Sequence, residues 1–246
     1  MTTIDINCDM GEGIGNEMLL MPFISAANIA CGYHAGDEQL MREVVRYCLR
    51  AGVAIGAHPS YPDSENFGRT DMELSRDELT AAIRNQLTIL NRIVKEEGGR
   101  LHHVKPHGAL YNQAAHDPSL SQQLARIVFD FDSSLVYYGL AGSVMIREAE
   151  KTGLKVAPEA FADRRYLGDG TLTPRGLDKA LINDAEDAVQ QVLQLIQQQT
   201  VTTVDGATIP MCAATICIHG DGAHAAALAK QLYHSLQQAG IQLQKI

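Results

Sequence analysis

Ionisable and amide side chains follow the ends of short apolar runs along most of this sequence. Asp9 closes the first run, His58 closes the third, and Lys105 and His107 close the fourth. Imidazole and carboxylate groups move protons near neutral pH, and a fixed cation stabilises negative charge that develops in a transition state. The recurrence predicts one active site, built from Asn7, Asp9, Asn28, His34, His58, Lys105, His107, Glu159, Asp163, Arg164, His219 and Asp221.

Each of these residues taken alone also has an ordinary structural explanation. Asn7 and Asp9 are of the types that cap turns. Lys105 could be a surface ion, and Glu159 with Arg164 could form a local ion network. Because the same residue types recur at one end of successive apolar runs, the whole set favours an active site.

The apolar runs alternate with helical patterns, and this alternation predicts the elements that position the site. Runs that are apolar on both faces are typical of parallel strands, so we expect strands at 3–8, 27–31, 53–57, 102–106, 135–138, 154–158 and 215–218. Helices are expected at 37–51, 76–97, 118–130, 142–152, 184–199 and 222–239. Ser75 with Glu78, and Asn183 with Glu186, have capping-box spacing, and Asp205-Gly206 predicts a hairpin within 201–211.

Repeated βα units predict an α/β fold with a parallel sheet. We expect a single domain over residues 1–246, folded as a seven-stranded parallel βα barrel of distorted TIM type, in which the carboxyl ends of the strands converge on one face. A doubly wound open sheet is the alternative, but Gly11, Gly13 and Gly15 have G-x-G-x-G spacing and not the usual G-x-G-x-x-G fingerprint. In the barrel, alternation along the fourth strand places Lys105 and His107 on the same face.

The remaining histidines have plainer interpretations. His102 and His103 open the fourth strand, at the end opposite the predicted site, so both are interpreted as structural. A surface position is the default for the histidines in loop or helix contexts, which are His116, His224 and His234.

Composition and charge exclude several classes of protein. Lys plus Arg is 20 and Asp plus Glu is 29, which gives a net charge of −9, and an acidic chain without a basic cluster is poorly suited to binding nucleic acid. We expect no signal peptide, because the N-terminus has no positively charged segment followed by an apolar one. We expect no membrane span, because the most apolar stretch, residues 18–31, is too short and is interrupted by polar residues. Five cysteines without a C-x-x-C pair indicate reduced thiols and a cytoplasmic protein, with Cys8 and Cys31 buried and not nucleophilic.

Several stretches of the sequence resemble the LamB/YcsF family, to which the A subunit of bacterial 5-oxoprolinase belongs. They occur in order over nearly the whole chain, and their combination is far more specific than any one alone. The matching stretches are INCDMGEG (6–13), NIACGYHAGD (28–37), VAIGAHPSYPD (53–63) with FGR (67–69), HVKPHGALYN (103–112), EAFADRRYLGDGTLTPR (159–175) and TICIHGD (215–221). The resemblance implies a βα barrel of the glycoside hydrolase/deacetylase type.

The resemblance also implies a reaction, the ATP-dependent hydrolysis of 5-oxo-L-proline to L-glutamate, carried out with 5-oxoprolinase subunits B and C. The wider superfamily is similar in holding a divalent metal with residues that correspond here to Asp9, His58 and His107. For this reaction we expect catalytic roles for Asp9, His34, His58, Lys105, His107, Glu159, Asp163 and His219. Substrate contacts are expected from Asn7, Asn28, Tyr111, Arg164 and Asp221.

The use of ATP is the least evident part of this hypothesis, because the sequence has no G-x-x-x-x-G-K-[ST] motif. Either glycine turns at the strand ends bind the phosphates or a partner protein activates the lactam, and we expect partners to cover the loops 59–74 and 160–180. One alternative is a metal-dependent deacetylase or amidohydrolase that acts alone on a carbohydrate or amide, although the absence of Trp counts against a sugar cleft. A regulatory or carrier subunit is the other alternative, but it would not need so many titratable groups.

Overall fold

The computed structural model describes residues 2–220 and 225–246, and its central feature is a closed barrel of seven parallel strands. Within these residues the strands are β1 (Thr2–Met10), β2 (Ala26–Ala30), β3 (Ala54–His58), β4 (Leu101–Val104), β5 (Val136–Leu140), β6 (Lys155–Phe161), β7 (Thr200–Thr202), β8 (Thr208–Pro210), β9 (Thr215–Ile218) and β10 (Ile241–Leu243). The barrel runs β1-β2-β3-β4-β5-β6-β9, and β9 pairs again with β1. The predicted seven-stranded barrel is therefore confirmed.

Helices connect the barrel strands and cover their outer faces. They are α1 (Glu17–Leu20), α2 (Glu38–Ala51), α3 (Arg76–Glu96), α4 (Gly108–Ala114), α5 (Pro118–Phe131), α6 (Val144–Thr152), α7 (Ala185–Gln198) and α8 (Ala225–Gln238), with a short 3-10 helix at Met21–Phe23. In α2 the apolar positions recur at helical spacing, and Met41, Val44, Val45 and Cys48 are all buried.

Several local predictions can be compared with the observed boundaries. The capping box of Ser75 and Glu78 is confirmed at the start of α3. The box predicted at Asn183 is wrong by one residue, because the Asp184 side chain accepts hydrogen bonds from the Glu186 and Asp187 amides and is the N-cap of α7. The predicted hairpin is confirmed as the antiparallel pair β7–β8.

Four short elements were not predicted. The helices α1 and α4 follow directly on loops that carry site residues, the 3-10 helix at Met21–Phe23 follows α1, and β10 adds a parallel strand beside the first residues of β1. Each spans less than two helical turns or only a few residues, which is too short for hydrophobic periodicity to be recognised.

The interior of the barrel is polar, in contrast to the branched apolar layers common in βα barrels. Asp5, Asn7 and Asp9 alternate along β1 and are nearly fully buried. Asp5 accepts hydrogen bonds from the Tyr138 hydroxyl (3.0 Å) across the barrel and from the Thr215 hydroxyl (2.6 Å) on the neighbouring strand β9. Because these groups satisfy one another, the interior forms a hydrogen-bonded network that fixes the strands on which the site residues lie.

Candidate active site

A cavity of about 440 Å³ opens at the carboxyl ends of the barrel strands. Predicted site residues in its wall are Asp9, His58, Lys105, His107, Tyr111, Arg164 and His219. The wall also contains five ionisable residues that were not singled out from the sequence for this role, namely Glu12, Arg69, Asp71, His116 and Arg175. The other predicted residues of the described chain, Asn7, Asn28, His34, Glu159 and Asp163, contact the wall from behind, and Asp221 lies outside the described residues.

The Lys105 ammonium lies at the floor of the cavity among hydrogen-bond acceptors. Its Nζ is 2.9 Å from Asp9 Oδ1, 2.9 Å from Glu159 Oε1 and 3.0 Å from Cys217 Sγ. Burial by itself lowers the pKa of Lys105, but the Asp9 carboxylate and its neighbours raise that pKa well above its ordinary value. Since an ammonium has three N–H groups, these acceptors engage all of them, and Lys105 is a fixed positive charge.

Glu159 is fully buried and is held from three sides. Its Oε1 accepts from Asn7 Nδ2 at 2.9 Å as well as from Lys105, and its Oε2 accepts from the Tyr111 hydroxyl at 2.8 Å. Burial, followed by the Glu159 charge, raises the pKa of Tyr111 well above its ordinary value, so the phenol stays neutral and donates. Tyr111 thus links the buried carboxylate to the cavity wall.

Asn28 connects the site to His103, a histidine of β4 that lies inside the barrel. Its Nδ2 donates to Asn7 Oδ1 (2.7 Å) and Asp9 Oδ1 (2.8 Å), and its Oδ1 accepts from His103 Nε2 (2.8 Å). His103 does not line the cavity, in agreement with its interpretation as structural, and its ring is fully buried in the barrel beneath Asn28. A Cβ at Gly56 would lie 2.0 Å from His103 Nε2, so glycine at that position makes room for the ring.

His58 and His107 meet at the cavity mouth, and each has one ring nitrogen bonded to a backbone carbonyl. His58 Nδ1 donates to the Lys105 carbonyl at 2.7 Å, and His107 Nε2 donates to the Phe67 carbonyl at 2.9 Å. A carbonyl only accepts, so these nitrogens carry protons. The other nitrogens, His58 Nε2 and His107 Nδ1, face each other at 2.9 Å. Two neutral rings would oppose two lone pairs there, so this position suits a shared proton or a cation.

His34 is a buried histidine in which, again, one ring nitrogen donates a hydrogen bond and the other carries a lone pair. Its Nδ1 lies 2.9 Å from Ser60 Oγ, and that hydroxyl already donates to the Tyr61 carbonyl, so His34 Nδ1 is the donor. His34 Nε2 has no hydrogen-bond partner within residues 2–220 and 225–246. Burial, and then the His58 charge, lowers the pKa of His34 to about 3, so the ring is neutral with an outward lone pair.

Glu12 completes a group of side chains that could hold a metal ion. Its Oε1 is 3.5 Å from His34 Nε2 and 3.6 Å from His107 Nδ1, and the three ligand atoms lie within 4.8 Å of one another. The donor chemistry fits a divalent cation, since both histidines present a lone pair and bond an acceptor through the other nitrogen. Because their rings are stacked at 3.8 Å and 4°, one ring must turn for both lone pairs to point at one ion.

This group differs from the predicted metal set, which shares with it only His107. Asp9 Oδ1 is occupied by Lys105 and Asn28, and Asp9 Oδ2 lies 3.4 Å from His58 Nε2. Burial opposes ionisation of Asp9, but His58 and Lys105 hold its pKa well below the usual range. The Asp9 carboxylate is therefore already paired with the Lys105 ammonium.

The loop after β3 closes over the histidines. Gly68 has φ +67, and a Cβ there would lie 2.8 Å from His107 Cδ2 and 2.9 Å from His34 Cβ. The Gly68 carbonyl accepts from the Ala109 amide at 2.9 Å, which joins this loop to the start of α4. Glycine at position 68 thus allows the loop after β3 to lie directly against the stacked rings of His34 and His107.

Asp163 and His219 form a dyad on the opposite side of the cavity. His219 Nδ1 donates to Asp163 Oδ1 at 2.8 Å, and the His219 amide donates to Asp163 Oδ2 at 3.2 Å. Although burial raises the pKa of Asp163, the His219 charge outweighs it, and the pKa is lowered. This arrangement fixes the tautomer of His219 and leaves its Nε2 for the cavity, as in a general base oriented by a carboxylate.

The described helices include none that is long and apolar enough to cross a membrane. All five cysteines are free thiols, and Cys8 and Cys31 are buried, as expected.

Comparisons with known proteins agree with this architecture. The chain is 51% identical over 246 residues to the A subunit of 5-oxoprolinase from Shouchella clausii (strain KSM-K16), an alignment that covers 98% of this chain and 97% of that protein. It is 48% identical to the A subunit of 5-oxoprolinase from Brevibacillus brevis (strain 47), with the same coverage. The crystal structure of the lactam utilization protein from Thermus thermophilus superposes with a TM-score of 0.92 at 38% identity and covers both chains completely.

The family model of LamB/YcsF matches residues 4–246, which include every described residue of the cavity wall. Because the family model matches nearly the whole chain and two relatives share about half of its residues, the chain belongs to the LamB/YcsF family.

Proposed function

We propose that this chain is the A subunit of an ATP-dependent 5-oxoprolinase, and that its cavity is where the ring of 5-oxo-L-proline is hydrolysed to L-glutamate. The observation that carries the proposal is one cavity with the Asp163–His219 dyad on one side and the Lys105 cluster on its floor. The names of the two bacterial relatives and of the Thermus protein support the choice of a cyclic amide as substrate.

Hydrolysis of a lactam needs a proton acceptor for water and a proton donor for the departing ring nitrogen. Water adds to the lactam carbonyl carbon, the carbon–nitrogen bond breaks, and the nitrogen gains a proton. We propose that His219 Nε2 accepts the proton of the attacking water, because the other ring nitrogen, Nδ1, donates to Asp163. His58 is placed to return a proton, and Lys105 pairs with Asp9 and Glu159 beneath the reacting groups.

We extend the proposal to a divalent metal held by Glu12, His34 and His107. When bound, such an ion would polarise a carbonyl or acidify a water. His34 then acts as a ligand and not as a proton carrier, which agrees with its lowered pKa.

For substrate contacts we propose Tyr111 and Arg164, which line the cavity, together with Asp221. Asn7 and Asn28 are buried behind the wall, so we propose that they position Asp9 and Glu159 and do not touch the substrate.

We propose that ATP is bound by the complex with subunits B and C, or by glycine turns at the cavity mouth. We also propose that the assembly lies in the cytoplasm, which agrees with the free thiols. A water-excluded site is needed because an activated lactam released into solvent would be lost. The loops 59–74 and 160–180 contribute Arg69, Arg164 and Arg175 to the cavity wall, so a partner seated there would close it.

Reconstitution from purified subunits tests this function. We expect the isolated chain to show little ATP-dependent opening of 5-oxoproline, and ring opening coupled to ATP hydrolysis to appear when both partner subunits are added. His219→Ala in the complex should reduce turnover by about 10²–10⁴-fold. Hydrolysis of simple amides or acetylated sugars by the chain alone, without ATP, would instead support the deacetylase or amidohydrolase alternative.

A further inference from the structure

Arg164 is a buried cation in the cavity wall, next to the dyad but not part of it. Its side chain is 4% exposed, and its terminal NH2 donates to the Thr173 carbonyl at 2.6 Å. That bond exists because the segment after β6 folds back on itself, with Tyr166 bridging to Leu172 and Arg164 bridging to Leu181. The fold-back holds the guanidinium rigidly at the cavity.

The charge of Arg164 lacks a carboxylate partner at ion-pair distance among the described residues, in contrast to that of Lys105. The adjacent carboxylate, Asp163, is engaged by the ring and the amide of His219. Arg164 Nε is buried without a hydrogen-bond partner in residues 2–220 and 225–246. A buried guanidinium N–H that is left unbonded is costly, so this nitrogen is suited to a ligand acceptor.

Arg175 brings a second positive charge to the same place. It lies two residues beyond Thr173, on the returning part of the fold-back, and it also lines the cavity. Burial, and then the nearby charge of Arg175, lowers the pKa of Arg164 to about 10. Two like charges held together repel each other, and an anion bound between them would relieve this repulsion.

We propose that Arg164 and Arg175 form an oxyanion subsite that anchors the substrate through a carboxylate or phosphoryl group. Both groups accept two parallel N–H bonds from a guanidinium. This inference rests on the proposed function, in which the carboxylate belongs to 5-oxoproline and the phosphoryl group to an ATP-activated intermediate. Lys105 is not an alternative anchor, because Asp9 and Glu159 already neutralise it.

Equilibrium binding to the purified chain tests the subsite with three probes, which are 5-oxo-L-proline, its uncharged primary amide and inorganic phosphate. Arg164→Gln and Arg175→Gln should each weaken oxyanion binding by about 10–100-fold, the range of a charged hydrogen bond, and should leave binding of the amide unchanged. Arg165→Gln is the matched control, because Arg165 pairs with Asp187 (3.6 Å) and lies outside this cavity. Arg164→Lys should restore part of the affinity.

The two oxyanion probes distinguish the source of the ligand. Weakened binding of 5-oxoproline alone identifies a carboxylate subsite, and weakened binding of phosphate alone identifies a phosphoryl subsite. If Arg164→Gln does not fold, Arg175→Gln decides, since Arg175 is only half-buried. The proposal is overturned if both glutamine variants bind the oxyanions like the wild type, if Arg165→Gln is weakened equally, or if the wild type binds neither oxyanion. Binding through these arginines without 5-oxoproline turnover by the complex would contradict the proposed function and not the subsite.

Discussion

Lys105 shows how a single buried residue sets the charge state of its surroundings. Two carboxylates, Asp9 and Glu159, are almost inaccessible to water, and each lies 2.9 Å from its ammonium. A buried ion pair adds little net stability over an apolar replacement, but removing one partner leaves an uncompensated charge.

Lys105→Met should therefore lower the free energy of unfolding by about 3–5 kcal/mol and abolish turnover in the reconstituted complex. Urea denaturation measures the first effect. Lys155→Met, at an exposed position, is the control and should change stability by less than about 0.5 kcal/mol. Adding Glu159→Gln to Lys105→Met should recover part of the lost stability, and no recovery would contradict this account.

Glu12 and Asp9 should differ in their effect on metal content. Because the Glu12 carboxylate faces the lone pairs of His34 and His107, Glu12→Gln should lose a near-stoichiometric divalent ion measured by elemental analysis. Asp9→Asn should retain it, since Asp9 is engaged by Lys105. Loss of the ion in Asp9→Asn with retention in Glu12→Gln would instead support the ligands expected from the sequence, Asp9, His58 and His107.

Asp163 should make stability sensitive to acid. Its pKa is lowered in the folded chain, so its contribution is complete above the unfolded value of about 3.9 and is lost as the pH falls through the lower folded value. Asp163→Asn should flatten the acid side of the curve of unfolding free energy against pH, measured by denaturation between about pH 2 and 6. Asp178→Asn, at an exposed position, serves as control and should leave the curve unchanged.

At the scale of elements, the site depends on how loops join neighbouring βα units. The loop after β3 and the start of α4 are linked by the hydrogen bond between Gly68 and Ala109, and together they enclose the His34–His107 stack. A change in the loop can therefore disturb both histidines without altering either of them.

Gly68→Ala should displace both histidine side chains, because its Cβ would lie 2.8 Å from the His107 ring and 2.9 Å from His34 Cβ. Gly206→Ala is the matched control, since Gly206 also has positive φ but nothing within 4 Å of the added carbon. Both variants should lose about 1–2 kcal/mol from left-handed backbone strain, but only Gly68→Ala should shift the imidazole proton resonances of His34 and His107. Unshifted resonances in Gly68→Ala would contradict the packing described.

At the scale of the whole molecule, exposed apolar side chains lie close to the mouth of the barrel. Ile14, Met18 and Leu19 follow β1 and are 47–64% exposed, and Leu177 in the fold-back is 57% exposed. Exposed apolar groups at one end of a molecule are typical of an interaction surface. Under the proposed function, a partner subunit would cover them and exclude water from the cavity.

Met18→Lys should weaken assembly of the complex by about 10-fold or more and leave the melting temperature of the isolated chain unchanged. Burying a charge in an apolar interface is costly, whereas on the free surface it is tolerated. Co-elution of the purified subunits measures assembly. Leu49→Lys on α2 is the control, since Leu49 is also exposed (40%) but lies away from the mouth. Equal assembly of both variants would place the interface elsewhere.

The sequence by itself determined the βα alternation, and with it the barrel and the face on which the polar strand ends meet. These features follow from local patterns such as apolar periodicity and the capping box at Ser75, which depend on residues close in the chain. A residue at the end of a parallel barrel strand can only lie at that face, so the positions of Asp9, His58 and His219 were predictable.

The tertiary structure decided the charge partners within the site. Lys105 meets Asp9 from 96 residues away, and His103 meets Asn28 from 75 residues away, so neither pairing leaves a local pattern in the sequence. Glu12 and Arg175 likewise lie in loops whose course is set by long-range contacts. Whether a buried lysine binds substrate or neutralises a carboxylate depends on which groups share its desolvated surroundings, and only the folded chain brings those groups together.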